Sequence, residues 1–163
     1  MTEAEFTGFY ESTARRLRTF LTRALSDAAL AEDLAQEAYI RLLNSRGAGL
    51  AGEEATRYLY RIAGNLVHDH WRRSGVKVEE LDVAETAIPP PRAQEVDAAD
   101  VEAALNGLPP AQRSLLWLAY VEGYDHKEIA GIMKVKPASV KVLLSRARTR
   151  FVKLFRPGVE IPR

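Results

Sequence analysis

The sequence predicts an all-α protein made of two small helical domains joined by an acidic, proline-containing linker. Three observations carry this expectation. Apolar residues recur with the 3.6-residue period in both flanks, and no stretch alternates with the period of a strand. The middle stretch VKVEELDVAETAIPPPRAQEVD holds three consecutive prolines and no lasting apolar period, so it reads as a linker. A length of 163 residues suits one ordinary domain or two very small ones. The expected division is residues 1–75, a linker over 76–100, and residues 101–163. Roughly 25 linker residues could extend to about 80 Å.

Each element follows from its own pattern. In the N-terminal part the first helix runs from Phe6 to about Leu25, with Phe9, Tyr10, Leu17, Phe20 and Leu21 as core candidates. A second spans about Ala28 to Asn44. The loop NSRGAGLAG follows, with three glycines, and then a third helix from about Glu54 to Arg73. The C-terminal part offers a helix before Gly107 and one over Pro110–Glu122, with proline at a helix start where its missing N–H costs nothing. Asp125–Met133 is next, then a short turn at Lys134–Lys136, then a long helix from Pro137 to Phe155.

Composition is ordinary for a soluble, foldable chain, at 47% hydrophobic and 28% charged. There is no cysteine, which excludes disulfides, iron–sulfur clusters and cysteine-ligated zinc. No apolar run approaches the ~18–20 residues of a membrane span. The stretch MTEAEFTGFYESTARR has no signal-peptide apolar region, so the expected compartment is the cytoplasm and no membrane insertion is expected. The net charge of +1 averages unlike parts. Residues 1–75 are neutral, 76–104 carry −6 and 105–163 carry +7, which together make the +1 of the chain. A small C-terminal unit at +7 is drawn to polyanions, and the acidic segment before it is not.

The C-terminal helix pair has helix-turn-helix spacing. Val140, Leu144, Ala147, Phe151 and Leu154 form a core stripe, and Ala130 is small where the two helices cross. The opposite face of the last helix is expected to present Lys141, Ser145, Arg146, Thr149 and Lys153, with Val142 among them and Arg148 on the flank. Such a helix enters a major groove N-terminus first. There Lys and Arg neutralise phosphates, Ser and Arg reach base edges, and Val142 touches a thymine methyl. Lys134 stands where a glycine commonly closes the first helix in a positive-φ conformation.

Two faces stand out in the N-terminal domain. Asp33, Gln36, Glu37 and Ile40 lie opposite the buried stripe of the second helix. A carboxylate-rich face with an exposed isoleucine suits a protein interface. On the third helix Arg61, Asn65, His68 and Arg72 share one face, next to the glycine-rich loop, an arrangement suited to unpaired nucleic acid. His68 and His70 lie about 160° apart on a helix, so they cannot share one metal ion. Neither a metal nor another cofactor is expected.

Taken together, AEDLAQEAYIRLL, YLYRIAGNLVHDHWRR and LNGLPPAQRSLLWLAYVEGYDHKEIAGIMKVKPASVKVLLSRARTRF resemble an extracytoplasmic-function (ECF) sigma factor of the sigma-70-like family. The resemblance covers about Phe6–Arg73 and Val101–Phe155. It implies a sigma region 2 bundle of three-helix type and a sigma region 4 helix-turn-helix. It also implies a non-enzymatic subunit that binds core RNA polymerase and recognises a −35 duplex and a melted −10 element. By the resemblance, Asp33, Gln36, Glu37 and Ile40 dock on the clamp helices of the polymerase β′ subunit, and region 4 meets the β flap. The loop Ser45–Glu54 with Arg41, Arg61, Asn65, His68 and Arg72 would hold the −10 strand and its flipped base. Arg113, Ser139, Lys141, Val142, Ser145, Arg146 and Arg148 would contact the −35 element. An anti-sigma factor is the implied inhibitor. The run ASVKVLL departs from the family's usual GTVKSRL, so the −35 preference is not transferable. A stand-alone helix-turn-helix regulator with an N-terminal dimerisation domain is the competing reading.

Overall fold

The computed structural model describes residues 1–75 and 98–155; residues 76–97, and with them most of the expected linker, lie outside the described residues. Helices α1 (Glu3–Leu25), α2 (Ala28–Leu43) and α3 (Gly52–Arg73) form the N-terminal bundle, with a 3-10 turn at Arg46–Gly49 between α2 and α3. Helices α4 (Ala98–Asn106), α5 (Pro110–Leu116), α6 (His126–Met133) and α7 (Pro137–Phe155) form the C-terminal bundle. A π-helical turn, Trp117–Val121, continues α5. Among the described residues there is no strand, and α4 starts inside the last residues assigned to the linker.

Local chemistry fixes the helix ends. Thr2 and Glu5 form a capping box on α1, and the Asp27 carboxylate accepts from Leu30 N on α2. Between them Ser26 adopts φ 55°, which lets the chain reverse in two residues. On α6 Asp125 and Glu128 repeat the capping box. Its other end closes through Lys134 at φ 53°, the position where the sequence pattern favours glycine.

The N-terminal core is built from Leu17, Phe20 and Leu21 on α1, Ala31, Ala35, Ala38 and Leu42 on α2, and Leu59, Tyr60, Ala63, Val67 and Trp71 on α3. Trp71 donates its indole N–H to Ala24 O at 3.0 Å, so the largest buried side chain is also satisfied. Phe9 and Tyr10 pack only at the edge of this core. The small alanines of α2 bring it close to α1. In the C-terminal bundle Leu115, Leu118, Ile129, Met133, Val140, Leu144 and Ala147 fill the core. The two cores are continuous: α5 packs on α1, and α6 packs on α3.

One expectation about α7 is corrected. Ser145, Arg146 and Thr149, expected on the outward face, are buried at 3%, 6% and 4% exposure, while Leu154 of the expected core stripe is 46% exposed. Helices α4, α5 and α6 all pack along α7, so its covered arc is wider than the single stripe its apolar residues mark.

Candidate functional site

Three surfaces carry the candidate residues. The first is the outward face of α2. Asp33, Gln36 and Ile40 are exposed and Glu37 is half-buried, with Ile40 at 53% exposure. Leu43, one turn further, is 40% exposed and extends the apolar spot. The helix pattern alone assigned no role to Leu43. Arg41 is held here too, its Nε donating to the Glu37 carboxylate at 2.8 Å. That places Arg41 at the rim of the acidic face.

The second surface is the loop after α2 together with α3. Ser45 caps the 3-10 turn, accepting from Gly47 N at 3.1 Å and donating to Leu42 O at 2.9 Å. Gly47 needs to be glycine, because a Cβ there would lie 2.6 Å from side-chain carbons of Leu42 and Tyr58. The Arg46 guanidinium lies 5.8 Å from the centre of the Tyr58 ring. The polar neighbours Ser45 and Arg46 lower the pKa of the Tyr58 hydroxyl from the ordinary phenol value. Arg46 and Tyr58 therefore form an aromatic–cation pair at the loop, a feature the spacing of the α3 stripe did not reveal. A stacking platform beside a cation is what an unpaired base requires.

Along α3, Arg61 and Arg72 are exposed, whereas Asn65 and His68 are half-buried. Arg72 pairs with Asp69 at 2.7 Å. His68 stacks edge-on to Trp71, with ring centroids 5.4 Å apart. Its Nε2 is buried without a partner, and desolvation pushes its pKa down. All four residues lie along α3, where helical spacing sets them on one side. Helix α6 lies along one edge of that face, against Arg61, Gly64 and His68. No grouping of three His, Asp or Glu residues fit for a metal ion occurs among the described residues.

The third surface is the helix-turn-helix. Lys134, Lys136, Lys141, Val142 and Arg150 are exposed, and Ser139 is half-buried at the start of α7. Arg148 donates to the Tyr120 hydroxyl at 2.6 Å. Arg113 is 6% exposed and donates to Ser26 Oγ of the N-terminal bundle at 2.7 Å. Desolvation, reinforced by the neighbouring Arg23, pushes its pKa down. Ser145 Oγ, and Nε and Nη1 of Arg146, have no hydrogen-bond partner. Behind the helix-turn-helix, Val101, Leu105, Leu116, Trp117, Tyr120, Val121 and Phe151 line an apolar groove of about 300 Å³. No helix among the described residues is long and apolar enough to cross a membrane.

Comparison with known proteins places these surfaces in a family context. The family model described as Sigma-70 region 2 matches residues 9–76, and the one described as Sigma-70, region 4 matches residues 98–151. The chain is 30% identical over 152 residues to the RNA polymerase sigma-H factor of Pseudomonas aeruginosa, covering 84% of this chain and 79% of that protein. It is 28% identical to the ECF RNA polymerase sigma factor SigM of Bacillus subtilis, covering 92% and 94%. Among solved structures, the sigma factor RpoE of Bartonella quintana, crystallised with the anti-sigma factor NepR, matches with a TM-score of 0.68. Identity there is 25%, over 94% of this chain and 98% of that one.

Proposed function

The chain belongs to the sigma-70 family of RNA polymerase sigma factors, in its extracytoplasmic-function group, and from that premise we propose how its surfaces divide the work. As an alternative sigma factor it directs promoter-specific transcription initiation. It acts in the cytoplasm as a specificity subunit without catalytic chemistry of its own. Residues 1–75 act as region 2 and residues 101–163 as region 4, joined through 76–100.

Asp33, Gln36, Glu37 and Ile40 dock on the β′ clamp helices, with Leu43 enlarging the apolar contact. The carboxylates set orientation and Ile40 supplies burial. Arg61, Asn65, His68 and Arg72 track the melted −10 strand, and Arg46 with Tyr58 offers the stack for an unpaired base. Arg41, at the boundary of these two faces, serves the −10 side once freed from Glu37. Lys141, Val142, Ser139 and Arg148 serve the −35 duplex, phosphates by the cations and base edges by the rest, joined by Arg113 where it leaves Ser26; Ser145 and Arg146, buried within the bundle, support α7 from inside rather than reach the groove. The apolar groove around Trp117 and Tyr120 receives the β flap. An anti-sigma factor, as in the complex with the Bartonella quintana relative, is the proposed inhibitory partner.

The observation that supports this division most is the separation of three chemically unlike faces. One is acidic with exposed Ile40, one is a cation–amide stripe beside an aromatic loop, and one is a cationic helix-turn-helix. A dimerising regulator has no use for the second. Transcription in vitro with core polymerase on a promoter library tests it. Run-off products that depend on this chain are expected. Tight duplex binding without polymerase, with self-association of the chain and no run-off, would favour the helix-turn-helix regulator instead.

A further inference from the structure

Helix α7 lacks the groups that read bases by hydrogen bonding. Its sequence, PASVKVLLSRARTRFVKLF, contains no Asn, Gln, Asp or Glu, so no amide can take adenine and no carboxylate can take cytosine from this helix. Its arginines are withdrawn from the leading end. Arg146 is 6% exposed, and Arg148 is half-buried and donates to the Tyr120 hydroxyl at 2.6 Å. Arg150 is exposed, but it lies two turns beyond Val142, about 12 Å along the helix. Ser145 is buried, and the Thr149 hydroxyl is spent on the Ser145 carbonyl at 2.9 Å.

Between its lysines the leading end turns apolar groups outward. Val142 is 42% exposed, and Ala138, one turn earlier, is exposed as well. Residues four apart on a helix have Cβ atoms about 5–6 Å apart, so the two form one methyl-bearing edge that can span neighbouring base pairs. Exposed Lys134, Lys136 and Lys141 flank it. A single exposed apolar residue is ordinary on a protein surface. Valine here is less so, because it is a poorer helix former than the lysine or arginine that would keep the helix soluble. It is also stiff about χ1, so its two methyls point in a fixed direction. Ser139 is half-buried, and a serine hydroxyl serves any base alike.

We propose that α7 reads its duplex by methyl contact. Ala138 and Val142 select 5-methylpyrimidines, thymine or 5-methylcytosine, at two positions of the −35 element, while Lys134, Lys136 and Lys141 hold the phosphates on either side. The proposal deepens the functional reading above and rests on it. A helix entering the major groove N-terminus first brings this edge to the base pairs. There the C5-methyl is the apolar group that marks thymine against the other bases. A methyl seated against valine leaves water without breaking a hydrogen bond on either side. Cytosine methylated at C5 passes for thymine at such an edge, because the edge touches the methyl and neither the O4 nor the N4 beside it.

The test selects promoters from a library randomised across the −35 region, using holoenzyme made from core polymerase and the full-length chain. The selected duplex is then remade with one base changed at a time. Uracil in place of thymine removes the methyl and keeps every hydrogen-bonding group. At two positions it should weaken holoenzyme binding about fourfold each, the worth of one methyl-sized group withdrawn from water. Cytosine at those positions should bind about fourfold more weakly than 5-methylcytosine. Val142→Ser should erase the thymine–uracil difference at one position and Ala138→Ser at the other, with helix content unchanged by circular dichroism. Equal binding of thymine and uracil duplexes by the wild-type holoenzyme overturns the proposal, and that comparison needs no variant to fold. A difference that persists in both serine variants overturns it too, since the methyl then acts through DNA shape. Run-off transcription keeps the two readings apart. Chain-dependent run-off without a methyl effect overturns the methyl readout alone. Absence of run-off overturns the sigma function, and the same uracil and 5-methylcytosine comparisons, on duplexes selected by the full-length chain without polymerase, then decide the methyl readout.

Discussion

His68 shows how one side chain carries information that its sequence position does not. It reads as part of a nucleic-acid stripe, and it sits there, but α6 covers it. Burial pushes its pKa below the ordinary 6.5; the Met133 backbone and Asp69 pull it back, and Lys134 and Arg72 lower it further. The sign follows directly. A base whose pKa is lower in the folded chain is penalised on protonation, so the packing of α6 on α3 keeps its full stability above about pH 6.5 and loses it as pH falls below that value. The expected outcome is a fall in the stability of the chain, read from a urea transition, between pH 7 and pH 5.5. In His68→Gln that response should disappear. Lys134 is the opposite case, because its left-handed conformation was legible: the spacing put a glycine-type position there, and the residue adopts φ 53°. Lys134→Gly is therefore expected to stabilise the C-terminal bundle by about 1 kcal/mol, read from a thermal or urea transition.

At the scale of elements, the helices and their caps could be read from the chain because they are local. Asp27, Asp125 with Glu128, Pro110 and Pro137 each mark a start within a few residues, and the helices begin there. The acidic face of α2 was legible for the same reason: a helix with alanine and leucine on one side must turn its carboxylates outward. Ile40 is the residue that the opposite, purely solvated reading could not absorb, and it is exposed. Asp33→Lys combined with Glu37→Lys should abolish capture by core polymerase. The fold should stay within about 0.5 kcal/mol of wild type, since the one ion pair lost on that face among the described residues, Arg41–Glu37, is exposed. Retained capture on immobilised core enzyme would remove α2 from the polymerase contact. The burial of Ser145 and Arg146 was not legible, because one helix's periodicity reports where apolar residues point and not how many neighbours pack around it.

At the scale of the whole molecule, nothing local announces that α6 rests on α3. Glu122 reads as the last residue of the Pro110–Glu122 helix and Arg113 as a DNA-facing cation, and Gly64 drew no reading; only contacts across some sixty to ninety positions show where each one packs. Arg113 belongs to those contacts. Its guanidinium is buried near Arg23, its Nη2 bonded to an exposed serine and its Nε to nothing, so removing the charge lifts a desolvation cost from the packed molecule while depriving a DNA complex of a phosphate contact. Arg113→Met, which keeps the apolar stem, is expected to raise stability by about 1 kcal/mol in a urea transition. The salt dependence of −35 promoter binding by the holoenzyme should fall by about 0.9 in log–log slope, one phosphate's share. A slope equal to wild type would mean that Arg113 stays with Ser26 in the DNA complex, and would take it out of the −35 surface.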